Sequence, residues 1–147
     1  MARPPTPSSH RGRKPQGCST LLEAAKGRSR SHAMAAHVRL NRRITAAAEC
    51  SQLSVLELVQ SCCQQMSLVN ASTAWHCIAR LDAEDKQAWE ADPRIAMLQR
   101  QTKVLLSECL SPGNTEDTQQ RCVATITWSC AKLKLHDEDM MSVWLSC

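Results

Sequence analysis

Two short clusters place chemistry-bearing side chains next to one another: Cys62-Cys63 and His76-Cys77. Together they offer soft ligands of the kind zinc takes. Neighbouring residues on a helix point in different directions, however, and the chain has no Cys-x-x-Cys. A thiol nucleophile with His76 as its base would also need a third group to orient the imidazole, and the sequence offers none. The four Gly include no phosphate-cradling loop followed by Lys. Asp82-Ala-Glu-Asp85 and Asp137-Glu-Asp139 lack the Gly that a calcium loop needs at its sharp turn. Asn70-Ala-Ser72 spells a glycosylation sequon, but it falls where a helix should start. The sequence therefore assigns no catalytic residue, no metal and no cofactor, and the chain reads as a non-enzymatic protein.

The remaining reactive side chains read as packing. Nine Cys is an odd number, and no apolar signal segment precedes them, so a secreted disulfide framework does not fit. Cys62, Cys77, Cys109, Cys122 and Cys130 fall on apolar helical faces and read as reduced, buried, small hydrophobes. There are four Trp but no Phe or Tyr, so the core is aliphatic with Cys and Met as fillers. Trp128 and Trp144 carry faces on which bases could stack, but both read first as hairpin core or rim.

The elements around these residues are helical. Asn70–Leu81 reads as one short helix capped by Asn70, with Ala74, Trp75, Ile78 and Ala79 on one face. A second copy lies 52 positions on, where Ser72-Thr-Ala-Trp-His-Cys-Ile-Ala-Arg-Leu81 aligns with Ala124-Thr-Ile-Thr-Trp-Ser-Cys-Ala-Lys-Leu133. Before the first copy, Leu40–Glu49 and a helix from Ser51 or Ser54 to about Gln65 follow, the latter with Ser54-Val-Leu-Glu57 as a capping box. After it, Pro93 opens a helix over 94–110, and Thr115 or Asp117 opens another reaching about Leu135. Ser111-Pro-Gly-Asn114 separates these two. A last helix after Asp137-Glu-Asp139 carries Met140, Met141, Trp144 and Leu145. No stretch alternates with period two, and no apolar run approaches the ~20 residues of a membrane span. The expectation is an all-α fold: a short right-handed array of α-hairpins, 51–65 with 70–81 and 94–110 with 115–134.

Charge divides the chain at about residue 40. Residues 1–43 hold ten Lys/Arg and one acid, whereas residues 44–147 hold eight Lys/Arg and thirteen acids. The split sets a basic arm over 1–39 apart from a helical domain over 40–147. The arm has Pro4, Pro5, Pro7 and Pro15, is rich in Arg and Ser, and reads as disordered. Its composition is that of an organelle transit peptide, with one amphipathic turn at Leu21–Lys26.

Four segments carry a likeness to a known group: Leu40-Asn-Arg-Arg-Ile44, Ser54-Val-Leu-Glu-Leu-Val59, Val69–Leu81 and Val123–Leu133. They resemble the degenerate α-helical repeats of FAST-kinase-like, RAP-domain and octotricopeptide-repeat proteins of organelle RNA metabolism. The resemblance covers about residues 40–147 and implies an accessory factor that binds or processes transcripts or ribosomal RNA in mitochondria or chloroplasts. The RAP domain of many members has no counterpart here, and the array is short, as expected of one truncated at its C-terminal end. Arg80, Arg121, Lys132 and Lys134 are the candidate RNA-binding residues. The competing reading is a cytoplasmic protein-interaction scaffold without RNA contact, or a fragment of a larger RAP-domain protein. On either reading, the apolar face of the last helix is expected to recruit a protein partner or a second copy.

Overall fold

A computed structural model describes residues 19–81, 91–109 and 117–135, with side chains from residue 31 onward. The chain divides into two compact units, residues 1–33 and 34–147. The described elements are all helical: α1 (Ser19–Cys50), α2 (Gln52–Cys62), a 3-10 turn (Cys63–Gln65), α3 (Leu68–Arg80), α4 (Pro93–Cys109) and α5 (Asp117–Leu133). Among the described residues there is no strand, and no helix is long and apolar enough to cross a membrane. The expected turn at 111–114, the acidic stretch at 82–85 and the last helix with its self-association face lie outside the described residues.

Helix α1 passes through the expected boundary between residues 39 and 40. The arm's four Pro all precede Ser19, and the stretch from there to Cys50 is Pro-free and rich in Ala and Arg, which favour helix. Residues 19–39, read from sequence as part of a disordered arm, are helical. Within the larger unit, Leu40 and Ile44 bury themselves in the core, and Ala47 and Ala48 pack against it.

The helix starts differ from the sequence reading in instructive ways. Ser51 caps α2 and accepts from the Ser54 amide at 3.1 Å, so Ser54 stands inside the first turn and no box with Glu57 forms. Ser67 caps α3, and Asn70 is the third helical residue rather than the cap. The two form a reciprocal pair: the Asn70 amide donates to Ser67 Oγ, and the Ser67 amide donates to Asn70 Oδ1. Asn70 Nδ2 also donates to the His37 carbonyl at 2.9 Å and to Asn41 Oδ1 at 3.2 Å, tying α3 to α1.

At the start of α4, Pro93 follows Asp92, whose Oδ1 accepts from the Arg94 amide at 2.8 Å. The Arg94 guanidinium closes on the same carboxylate at 2.7 Å and, with that amide, holds the Asp92 carboxyl below the usual range. A carboxyl with a lowered folded pKa stabilises the fold above its unfolded value, about 4. That contribution fades as pH falls below this value. Asp92→Ala is expected to lower stability by about 1 kcal/mol at neutral pH, as lost caps do. Urea unfolding at pH 7 and again near pH 3 would show the difference shrinking in acid.

The core is aliphatic and sulfur-containing. Val55, Leu56, Val59, Cys62 and Met66 from the α2 region meet Trp75 and Ile78 of α3, Ile95, Leu98 and Leu106 of α4, and Ile126 and Cys130 of α5. Helix α3 is the hub, packing on α2, α4 and most extensively on α5. The side chains that α3 buries include Ala71, Ser72, Ala74 and Ala79, and α5 buries Cys122, Ser129 and Cys130. Small side chains let two backbones approach closely, which accounts for the dominance of this contact. Helices α4 and α5, expected as a hairpin, touch little among the described residues, and α5 leans on α3 instead. Helix α5 closes with the Lys134 amide on the Ala131 carbonyl and the Leu135 amide on the Cys130 carbonyl. That paired closure places Lys134 in the left-handed region, at φ 56°.

Candidate functional site

The two sequence copies become α3 and α5, and they lie against each other. Ser72 of α3 lies beside the Cys122 thiol of α5, and further along His76 stands against Trp128. Contacts therefore advance in the same sense on both helices, so α3 and α5 run in the same direction. His76 and Trp128 are 52 positions apart, the offset of the sequence alignment. Equivalent positions of the two copies thus meet ring to ring, with centroids 5.7 Å apart and planes inclined at 42°.

Trp128 is 47% exposed, unlike Trp75, which is fully buried and donates from its indole to Thr102 Oγ1 at 3.0 Å. The Lys132 ammonium stands over the Trp128 ring, 5.3 Å from its centroid, near enough for a cation–π attraction. His76, Ala124, Thr125 and Trp128 line a hollow of ≈ 320 Å³ between the two helices. Its edges are small because Ala124 and Thr125 are small, and the Thr125 hydroxyl is turned inward to donate to the Arg121 carbonyl.

The four candidate cations all belong to this pair of helices, and all four are exposed. Arg80 ends α3 and Lys132 stands in the last turn of α5. The register that sets His76 on Trp128 sets these two at matching ends of neighbouring helices. Lys134 follows one residue beyond the end of α5. Arg121 lies eleven residues before Lys132, about 16 Å away along the axis. Three of the four cations thus gather at one end of the pair, and Arg121 stands apart. His76 and Thr125 were not singled out as partners of Trp128 in the sequence. The repeat offset carried that signal, since it maps one aromatic position onto the other.

The thiols are placed for packing. Cys62, Cys63, Cys122 and Cys130 are buried, and Cys77 and Cys109 are half-buried. Burial pushes the thiols of Cys63, Cys77, Cys109 and Cys122 up, which holds them protonated and weakly nucleophilic at neutral pH. Among the described residues no three of His, Cys, Asp and Glu come together as a metal ion would require.

No family model, no curated protein and no solved structure matches the chain.

Proposed function

We propose that the chain is an RNA-binding or RNA-processing accessory factor of helical-repeat type that acts on organelle transcripts or ribosomal RNA. The observation that carries this reading is the parallel pairing of the two repeat copies, with Arg80 and Lys132 exposed at matching ends. A phosphate backbone crossing the pair would meet a cation on each helix, and Lys134 adds a third at the same end. A right-handed solenoid is the larger arrangement this reading assumes. The mitochondrial or chloroplast address rests on the Arg- and Ser-rich composition of residues 1–39 and on the family resemblance.

The competing reading, a protein scaffold without RNA contact, draws on the exposed apolar side chains Leu53, Val69 and Val104. One experiment separates the two. RNA binding by the full chain is followed across a salt series, alongside Arg80→Glu combined with Lys132→Glu. The basic arm is the same in both proteins, so its contribution cancels in the comparison. Two lost contacts with a single strand should flatten the slope of log K against log salt by about 1.4 and weaken binding most at low salt. An unchanged slope and affinity would leave the scaffold reading in front.

A further inference from the structure

We infer that Trp128 is a nucleobase platform, on which an unpaired base of a single strand stacks over the hollow shared with His76 and Thr125. This rests on the RNA reading above and adds to it which form of RNA the surface takes. Trp128 is 47% exposed on a helix face whose neighbours Ala124 and Thr125 are small. The hollow of ≈ 320 Å³ opens beside the indole, and the tilted His76 ring forms part of its wall. A cation–π contact explains why Lys132 lies on the ring, but it leaves both the exposed indole and the hollow without a role. A base that takes the place of the Lys132 ammonium on the indole covers that apolar surface with a flat π-face, which every nucleobase has, and frees the ammonium for a phosphate. The same base carries a phosphate on either side, and Lys132, 5.3 Å from the ring centroid, is within reach of one. Arg80, at the matching end of α3, stands where the strand would continue. Paired bases in a duplex hide their faces in the stack, so the platform selects single strands.

The full-length chain is tested by fluorescence anisotropy against three labelled ligands of one length: a single-stranded oligouridylate, the same strand with abasic sites, and an RNA duplex. Stacking is worth about 1–3 kcal/mol per base, so Trp128→Ala should weaken oligouridylate binding roughly 5- to 150-fold. Trp128→Phe should restore most of that loss, while binding of the abasic strand and the duplex stays unchanged. Circular dichroism checks that the variants keep the helical fold. Equal losses on base-bearing and abasic strands, or no loss on either, overturn the platform. If the Arg80 and Lys132 charge reversals weaken binding while Trp128→Ala does not, RNA binding stands and the platform falls. If the parent chain binds no RNA, both fall, and the surface is left to a protein partner.

Discussion

Trp75→Ala is expected to lower the stability of the chain by about 3–5 kcal/mol, the range for a buried Trp cut back to its Cβ. Single domains are stable by only about 5–15 kcal/mol, so much of the margin would go. Trp75 is the largest fully buried side chain among the described residues, on the helix that contacts most of the other described helices. Its indole donates to Thr102 Oγ1, which in turn donates to the Leu98 carbonyl at 2.7 Å. The substitution therefore opens a cavity and removes one link of a buried hydrogen-bond chain between α3 and α4. Trp75→Phe keeps most of the volume and loses the donor, so it should cost less. Thr102→Val leaves the indole N–H buried without an acceptor, at about 1–3 kcal/mol. Combining it with Trp75→Phe should cost less than the sum, because the orphaned donor is gone. Guanidinium unfolding of the four variants would measure this. A Trp75→Ala protein within 1 kcal/mol of the parent, by that rough scale, would show that α3 is not the hub.

Asn70→Asp is expected to be the second most damaging change, and its cost should depend on pH. Asn70 is 1% exposed and uses both ends of its amide. The oxygen accepts from Ser67, which an aspartate can also do. The nitrogen donates to the His37 carbonyl and to Asn41 Oδ1. A carboxylate oxygen in its place would face two acceptors. Asn41 can turn its own amide to donate, but the His37 carbonyl cannot. A buried charge without a full set of partners costs a few kcal/mol, and the helix N-terminus offsets part of it, leaving about 2–4 kcal/mol at neutral pH. The introduced carboxyl would have a folded pKa above its unfolded value. The penalty is then full above the folded pKa and shrinks as pH falls through it. Asn70→Ala removes the same bonds without a charge, so its loss should change little between about pH 7.5 and about pH 3.5, an interval that spans the ordinary carboxylate pKa of about 4. Thermal unfolding of both variants at the two pH values tests this. A penalty for Asn70→Asp that grows in acid would contradict the geometry around His37.

Asn70 also shows where a sequence stops being legible. Ser67 and Asn70 are both good caps, and the periodicity of 70–81 does not choose between them. The choice is made by His37 and Asn41, some thirty residues earlier, which give the Asn70 amide a use inside the helix. Local pattern was enough for the apolar stripes, because a helical period leaves little freedom about what faces inward. Val55, Val59, Cys62 and Met66 recur at helical spacing along the chain, and all four are buried, as are Ile95, Leu98, Ile126 and Leu133. Along 94–110 the periodicity puts Leu105 in the inward stripe with Ile95, Leu98 and Cys109, and Leu106 beside it, whereas the core takes Leu106 fully and leaves Leu105 half-buried. The hairpin pairing was less legible still. Sequence order suggests that α5 returns along α4, whereas small side chains on α3 and α5 favour that pair. For the candidate site, the matched cations were visible in the alignment of the two copies. The half-exposed state of Trp128 was not, because an aromatic on an amphipathic helix ordinarily turns inward.

The left-handed residue that ends α5 sets a compromise for anyone who would engineer this chain. A glycine at position 134 would adopt φ 56° with no Cβ strain and would improve the helix stop by about 1 kcal/mol. Lysine recovers part of that difference through its charge at the negative end of the helix dipole. The remainder is the toll for a cation beside Lys132 and Arg80. Replacing strained residues by glycine is a standard route to thermostability, and Lys134→Gly would be an early choice on that route. The same substitution removes a charge from the end of the helix pair where three of the four candidate cations gather. Gains in melting temperature at this position and losses in affinity for a polyanion would come together, from one side chain.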